Sequence, residues 1–459
     1  MVEETLSERL ARRHATLQLD EVPLEIVQAA KLHILDSLGC LLAGSRLEPG
    51  KLAYALATGN RGSSSSLTST LLGAGSRVSF LEAVQAMSVA AHCGEMDDIH
   101  GGAGTCIGGI IMPPLVAMVE EHSCSGCNFL EAAIVGYETT ARVGLAIDAP
   151  RLFSRGWWPS TVCGVFGVAA AGAKFLGWTP DQTANALGIA SLNAGGMITG
   201  GHEGATARHL VFGRAAQSGV LALLAARQGF TGPRRAFEDP RGFCLTLCPE
   251  PKWEYLQAGE PYCLPAVAFK PYPCARQLHA GVEALLRLLR DHAITPSVIE
   301  TIELFVPTAV ASLVNRPAAS MNRAAVLGSG QYVMAVTAMR GKMDLVSFED
   351  RFMHSNEVRS LMVKVNVKDE VELDRYFPHS WPGRVRIGLK NGACYTQEII
   401  VPKGEKENPM SSPEVEEKFL SLAAPVLGDG RARSVIDEVR VLEERKSLDE
   451  LLALLRVPA

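Results

Sequence analysis

Residues 90–114, AAHCGEMDDIHGGAGTCIGGIIMPP, form a polar, glycine-rich break between two apolar stretches that have the composition of buried helices. The break holds two imidazoles, three carboxylates, two thiols and six glycines. Charged groups next to buried helix faces are energetically unfavourable unless they pair with an opposite charge or take part in binding or catalysis. Glycine lets a backbone approach a ligand closely. We therefore interpret this stretch as the candidate site. A solvated polar loop between helices is the alternative.

Helical patterns surround this break. Apolar residues recur at helical spacing between Glu21 and Ser45, and helices rich in small residues are predicted at 80–91 and 129–147. A second glycine-rich break lies at 193–210. It lacks the phosphate-loop and dinucleotide-binding patterns, so cofactor binding by its glycines is not expected. The first 260 residues are predicted to form an all-helical domain.

The periodicity changes after residue 261. The segments GRVRIGLK at 383–390 and ACYTQEIIV at 393–401 resemble strands, and Asn391-Gly392 between them predicts a tight hairpin. Another strand is predicted at 301–307, and helices alternate with these strands. The predicted fold is mainly α, with a large helical domain at 1–260 and 405–459 and an inserted, smaller α+β lid domain at 261–404.

Composition narrows the possible partners. The formal charge is −5, with 47% apolar and 20% charged residues, so nucleic acid and anionic membranes are not expected as partners. No membrane span is predicted, and the N-terminus lacks the features of a secretory signal or transit peptide, which favours a cytoplasmic location. The eleven cysteines are scattered and predicted to be reduced. Cys124 and Cys127 form an isolated CxxC pair, so no metal site is predicted.

Several motifs together resemble one family. They are AKLHILDSLGCLLAG at 30–44, EMDDIH at 95–100, GYETTARVG at 136–144 and FKPYPCARQLHAGVEAL at 269–285. In this order, and across nearly the whole chain, they resemble the MmgE/PrpD family. The resemblance implies a helical domain with a small lid, a homodimer, no metal and no cofactor.

The resemblance also implies a class of reaction. Members of the family include 2-methylcitrate dehydratase, cis-aconitate decarboxylase and iminodisuccinate epimerase. These reactions form or quench a carbanion or enolate next to a carboxylate, which requires an acid/base pair and cations that bind carboxylates. A small di- or tricarboxylate is therefore the expected substrate.

Three positions depart from the dehydratase and decarboxylase pattern. Cys106 and Trp158 stand where those enzymes carry histidines, and Arg208 stands where they carry a lysine. We take these changes to favour a cofactor-independent epimerase of a dicarboxylic imino or amino acid. The alternative is a lyase, either an alkylcitrate-type dehydratase or a cis-aconitate decarboxylase-like enzyme. A binding protein without activity is a third possibility.

The predicted catalytic residues are Cys106, His279 and Asp97. Cys106 lies at a predicted helix start, where the helix dipole is expected to lower the thiol pKa and make the thiolate a base. His279 matches a family histidine and is predicted to be the opposing base or a donor to a carboxylate. Asp97 would orient a histidine, and Glu95 replaces an aspartate of some members in a similar role. A buried core cysteine and a helix-capping histidine are the alternatives.

The predicted substrate-binding residues are mainly cations. Guanidinium groups bind carboxylates through two hydrogen bonds and an ammonium acts as a point charge, so the sequence predicts carboxylate binding by these side chains. Surface ion pairs are the alternative for each cation. The predicted binding set is Arg208, Lys270, Arg276, His209, Asp98 and Trp158, with Trp158 as a pocket wall and with His100 and His202 as weaker candidates.

Overall fold

The computed structural model describes residues 4–59, 67–199, 203–257, 259, 261–317 and 321–457, so His202 lies outside the described residues. The described chain is mainly helical, which confirms the predicted fold class. The helices before residue 260 are α1 Leu6–Thr16, α2 Leu24–Gly44, α3 Glu48–Gly59, α4 Phe80–Cys93, α5 Gly108–Glu121, α6 Gly126–Ala146, α7 Pro159–Phe175, α8 Pro180–Ser191, α9 Arg208–Arg227, α10 Phe243–Leu247 and α11 Glu254–Gln257.

Helix α2 fixes the position of α4, which carries the start of the polar break. The helix predicted between Glu21 and Ser45 is present, and Pro23 precedes its first turn. At its C-terminal end, a Cβ atom on Gly44 would lie 1.7 Å from the carbonyl oxygen of Ala90. Only glycine allows this close contact. The last turn of α4, and with it His92, is therefore held against α2.

Residues 299–399 contain a four-stranded sheet of β5 Ile299–Val306, β6 Val365–Asp369, β7 Gly383–Leu389 and β8 Cys394–Ile399, in the order β6-β5-β7-β8. Strand β5 is parallel to β6 and antiparallel to β7. Strand β8 Cys394–Ile399 pairs with β7 and confirms the predicted hairpin. Gly392 has φ 86°, as the tight turn requires. The lid helices are α12 His279–Asp291, α13 Thr308–Val314, α14 Arg323–Val326, α15 Gly330–Arg340, α16 Asp350–Met353, α17 Asn356–Met362 and α18 Val371–Asp374.

The last helices return to the first core. These are α19 Ser412–Leu427, α20 Asp429–Arg440 and α21 Asp449–Leu455. Their apolar side chains share a core with residues between 22 and 268, whereas residues 274–399 form a separate core around the sheet. We propose that the domains follow these two cores, so the first boundary lies between residues 268 and 274, later than the predicted 260, and the second lies near residue 404.

Short strands join distant parts of the helical core. Strand β1 Thr68–Thr70 pairs with β2 Arg77–Ser79. Strand β3 Ile99–His100 pairs with β4 Val267–Ala268, with Ile99 opposite Ala268. The second ladder places Lys270, two residues after β4, beside the acidic residues that precede β3.

In the part of the chain that the structure describes, two helices are long and apolar enough to cross a membrane. They are Leu24–Gly44, with 83% of its most apolar window buried, and Arg208–Arg227, with 56% buried. Core helices of globular proteins meet the same criteria, so these helices are weak evidence for a membrane span. The cytoplasmic location stays a prediction.

Candidate active site

A cavity that is partly open to solvent contains much of the predicted chemistry. Cys106, Trp158, Arg208, Lys270 and Arg276 line it, as predicted from the sequence. The described lining also includes residues outside the predicted set, namely His92, Glu95, Ser160 and Arg316.

Glu95 lies at the centre of the charged groups. Its carboxylate accepts a hydrogen bond from Arg208 Nη1 at 2.8 Å and lies 3.5 Å from Lys270 Nζ. Burial opposes ionisation of Glu95, but His92, Arg208 and Lys270 outweigh it and hold the pKa of the carboxyl well below its usual value. Glu95 also has φ 53°, a strained conformation that costs about 1–3 kcal/mol for a residue with a side chain. Strain of this kind persists where the surroundings impose it.

His92 and Asp97 form a buried pair: Asp97 is predicted to orient a histidine, but His92 is not among the predicted site residues. Asp97 Oδ2 lies 2.9 Å from His92 Nδ1, which assigns the Nδ1 proton to this contact. His92 Nε2 has no hydrogen-bond partner among the described residues and lies 3.6 Å from Glu95 Oε1. The ring stacks on Phe212 at 4.0 Å between centroids. A fixed imidazole with one nitrogen free is the arrangement of a general acid or base.

Lys270 is the buried cation of the site. Its ammonium lies 3.6 Å from Cys106 Sγ and 3.7 Å from Asp97 Oδ1. Burial works against the charged form, but the neighbouring carboxylates of Asp97 and Glu95 raise the pKa of Lys270 above its ordinary value. The lysine therefore carries a positive charge into the cavity.

Judged by distance alone, three residues around Lys270 could bind a metal ion. Ligand atoms of His92, Asp97 and Cys106 all lie within 4.8 Å of one another. However, the Lys270 ammonium already contacts Asp97 and Cys106, and it would repel a divalent ion placed between them. We therefore take Lys270 as the resident cation. The absence of a metal and of a cofactor stays a prediction.

The predicted lowering of the Cys106 pKa is wrong. Burial raises the pKa of this thiol well above its usual value, and the nearby Asp97 carboxylate adds to the effect. The helix start cannot offset this, because the first amides of α5, from Ile107 and Gly108, donate to Asp98 Oδ1. Cys106 is thus a neutral thiol in the cavity wall, and its own amide donates to Ser160 Oγ.

Asp98 is buried and does not line the cavity, and both of its carboxylate oxygens have hydrogen-bond partners. In addition to the two α5 amides, its carboxylate contacts His33 Nδ1 at 2.8 Å and accepts a hydrogen bond from Tyr137 at 2.6 Å. Burial opposes ionisation, but these hydrogen bonds lower the pKa of Asp98. The structure therefore does not place Asp98 where it could bind a substrate. It anchors the start of α5.

His279 is also engaged on both ring nitrogens. Its Nε2 lies 3.1 Å from the Cys274 carbonyl oxygen, and its Nδ1 lies 3.2 Å from Arg276 Nη1. Burial and the charges of Arg276 and Lys270 lower its pKa well below the usual value. Arg276 in turn donates to Glu405 at 2.7 Å. His279 therefore orients Arg276, and the geometry does not support the role of opposing base.

Of the remaining predicted residues, Trp158 and His209 lie near His92, with 5.1 and 5.9 Å between ring centroids. The guanidinium of Arg208 lies 4.9 Å from the Trp158 ring centroid, and its Nε has no hydrogen-bond partner among the described residues. His209 is buried, 5.9 Å from His92 between ring centroids, and does not line the cavity. His100 accepts a hydrogen bond from the Ala103 amide, and burial lowers its pKa to about 4. His100 is thus a structural residue.

Known sequence families agree with this architecture. The MmgE/PrpD N-terminal domain matches residues 8–256, and the MmgE/PrpD C-terminal domain matches residues 272–444. The chain belongs to the MmgE/PrpD family. This confirms the resemblance inferred from the motifs.

Curated relatives within the MmgE/PrpD family carry decarboxylase names. The cis-aconitate decarboxylase-like protein oryM of Aspergillus oryzae is 29% identical, over 96% of this chain and 95% of the relative. The cis-aconitate decarboxylase of Aspergillus terreus is 29% identical, over 97% and 94%. The human cis-aconitate decarboxylase is 28% identical, over 100% and 96%.

The prediction of an epimerase, and hence of an isomerase, is wrong. Relatives that cover nearly the whole chain are named as decarboxylases, which are lyases. The changes at Cys106, Trp158 and Arg208 do not exclude a lyase, because His92, paired with Asp97, places an imidazole in the same cavity from another position.

Proposed function

We propose that this MmgE/PrpD protein is a lyase of the cis-aconitate decarboxylase type that removes a carboxyl group from a small, unsaturated tricarboxylate. The observation that carries the proposal is the meeting of the His92–Asp97 pair with Lys270 and Arg208 in one cavity. Relatives named cis-aconitate decarboxylase support the choice of reaction.

The charge of the cavity favours an anionic substrate. Among its described lining residues, Lys270, Arg208, Arg276 and Arg316 are cations, and Glu95 is the only carboxylate. Glu95 holds Arg208 and Lys270 in place, and Arg276 is held by Glu405. An excess of positive charge in a partly closed cavity attracts polyanions and orients their carboxylates.

The proposed reaction needs one proton and no external oxidant. The bond between a carbon next to the double bond and its carboxylate breaks, and the carboxylate leaves as CO₂. The released electron pair forms a new double bond, and the electrons of the old one move to the carbon beside another carboxylate. In this step His92 acts as the imidazolium, with Nδ1–H towards Asp97: it gives the proton on Nε2 to that carbon and is left as the neutral Nδ1–H tautomer, which takes up a proton from water before the next turnover. Lys270 and Arg208 stabilise the negative charge that develops on the neighbouring carboxylate.

Other residues would act through these groups. Asp97 keeps the His92 imidazole in the tautomer and orientation that leave Nε2 facing the cavity. Trp158 forms a wall on which the Arg208 guanidinium rests, and Cys106 contributes a neutral thiol. The homodimeric state implied by the resemblance remains a prediction.

The experiment is to incubate the purified protein with cis-aconitate in deuterium oxide and to follow the products by proton NMR and CO₂ release. We expect one CO₂ for each substrate consumed and one deuterium at the protonated carbon. Addition or loss of water without CO₂ would instead indicate a dehydratase. No turnover of cis-aconitate, with turnover of an alkylcitrate, would contradict the proposal.

A further inference from the structure

A lysine from the C-terminal helices reaches the loop that carries the acidic residues of the site. Lys418, on α19, is 7% exposed, and its Nζ donates a hydrogen bond to the Met96 carbonyl oxygen at 2.7 Å. Met96 lies between Glu95 and Asp97 in sequence. Lys418 itself is not among the described residues that line the cavity. The contact therefore ties a helix outside the cavity to the backbone between two charged residues of the site.

Two features hold Lys418 in this place. Its ammonium lies 2.5 Å from Oδ1 of Asp36, a residue of α2 that is 1% exposed. Burial opposes the charged form of Lys418, but the Asp36 carboxylate raises its pKa above the ordinary value. Helix α19 also packs closely on α2, since a Cβ atom on Gly39 would lie 3.0 Å from Phe419 Cδ2. Lys418 is therefore a charged donor with a fixed direction.

The Met96 carbonyl belongs to the peptide group that joins Met96 to Asp97. A rotation of this peptide group would displace the Asp97 carboxylate, which lies 2.9 Å from His92 Nδ1. On the other side, Glu95 has φ 53°, a strained conformation that persists only where the surroundings impose it. The Met96 side chain is also buried, in a small apolar cluster with residues of α2 and α19. The loop is thus held at both a side chain and a carbonyl.

We propose that Lys418 is a positioning residue for the reaction: by binding the Met96 carbonyl, it keeps Asp97 in the orientation that fixes the His92 imidazole. This inference rests on the proposed function. Lys418 acts through the Met96–Asp97 peptide group and not on the substrate, while Asp36 keeps the ammonium charged and in place. The C-terminal helices thereby support the site from behind the cavity.

The alternative is that the buried ion pair only packs α19 on α2, and the chain offers a matched control for it. Lys31, also on α2, is 4% exposed. Its Nζ lies 2.5 Å from the Glu443 carboxylate and donates to the Arg440 carbonyl oxygen at 2.8 Å. Lys31 thus makes the same two kinds of contact between α2 and the C-terminal segment, but it does not contact the loop at residues 94–98.

The first readout does not require turnover. It is the proton NMR resonance of the hydrogen bond between His92 Nδ1 and Asp97, identified by its loss in His92→Gln. In Lys418→Met we expect this resonance to broaden or disappear, and kcat on cis-aconitate to fall by about 10- to 100-fold, because a misplacement of about 1 Å has an effect of this size. KM should change less than kcat, since Lys270 and Arg208 remain. Lys31→Met should keep both the resonance and kcat.

A double variant separates positioning from stability. Lys418→Met leaves the buried Asp36 carboxylate without its counter-ion and should lower the melting temperature. Asp36→Leu combined with Lys418→Met removes both charges and should recover most of that loss, because apolar side chains can replace a buried ion pair. The double variant should not recover the resonance or kcat, since the Met96 carbonyl still lacks the lysine donor. If the single variant fails to fold, the double variant carries the test.

Other results would overturn the inference. A wild-type kcat and resonance in folded Lys418→Met, or their recovery together with stability in the double variant, would leave the ion pair a packing contact. Equal losses of kcat in Lys31→Met and Lys418→Met would mean that any weakening of α2 packing disturbs the site. No turnover of cis-aconitate by the wild type would overturn the proposed function, and the resonance alone would then decide whether Lys418 orients Asp97.

Discussion

Asp97 Oδ2 lies 2.9 Å from Nδ1 of His92 and leaves Nε2 of the same imidazole facing Glu95 in the cavity. The contact joins the last turn of α4 to the loop that precedes β3, five residues later in the chain. Through it the cavity gains an oriented acid/base group, although the two histidine positions expected from the family resemblance carry Cys106 and Trp158. The predictions below follow from this pair and its surroundings.

Asp97 and Asp98 are adjacent in sequence, but Asp97 should support activity and Asp98 should support stability. Asp97→Asn should lower kcat by about 10²–10⁴, because the amide no longer fixes the His92 tautomer, while the fold is largely kept. Asp98→Asn should instead reduce the free energy of unfolding by about 3–5 kcal/mol, since it breaks a buried, fully hydrogen-bonded carboxylate. Urea unfolding and steady-state kinetics on both variants measure this. Equal losses of activity and stability in the two would contradict the assignment.

Cys106 should behave as an uncharged residue of the cavity wall that takes no part in proton transfer. Because burial raises its thiol pKa, alkylation by iodoacetamide at pH 7 should be slow, and Cys106→Ser should keep kcat within about tenfold of the wild type. Cys163→Ser is the control, since Cys163 is a buried thiol on α7 whose pKa is also raised by burial. A 10³-fold loss of kcat in a folded Cys106→Ser protein would instead show that the thiol takes part in catalysis.

Gly108 allows the carboxylate of Asp98 and its partners to approach α5. A Cβ atom there would lie 2.0 Å from Ser37 Oγ and 2.5 Å from Tyr137 Oη. Gly108→Ala should therefore lower the free energy of unfolding by about 1–3 kcal/mol or more through overpacking. Gly94→Ala is the control, because its nearest neighbour would be 3.7 Å away. Melting temperatures that fall equally for the two variants would refute the steric argument.

Glu95 should make stability depend on acidic pH. Its pKa in the folded protein lies below the usual value of 4.5. The ionised carboxylate thus contributes stability that is fully present above about pH 4.5 and is lost as the pH falls through the folded pKa. Urea unfolding between pH 6 and pH 3 should show a steeper loss for the wild type than for Glu95→Gln. Parallel curves would contradict this linkage.

Local patterns account for the parts of the fold that were predicted. The helix of residues 24–44 follows from apolar periodicity, and the β7–β8 hairpin follows from Asn391-Gly392, because both depend on neighbours in sequence. The approach of Lys270 to Glu95 depends on the two-residue ladder between β3 and β4, which has no sequence signal. The sequence signal for His92 is limited to its position at a helix end, five residues before Asp97.

The errors at the site have a common physical cause. Cys106 was expected to benefit from the α5 helix start, but the buried Asp98 occupies those amides. His279 was expected to be a base, but Cys274 and Arg276 take both of its nitrogens. In each case a buried partner that is distant in sequence or hidden in a loop decides the role of the side chain. Residue types and spacing do not specify such partners.

The central claim is that His92 supplies the proton when CO₂ leaves the substrate. The most direct measurement is deuterium incorporation and CO₂ release from cis-aconitate in single-turnover experiments with wild type and His92→Gln. His14→Gln is the control, because His14 is a buried histidine outside the cavity lining. We predict that His92→Gln binds the substrate but slows both readouts together by about 10²–10⁴, while His14→Gln does not. CO₂ release at the wild-type rate in a folded His92→Gln protein, with deuterium still incorporated, would contradict the account.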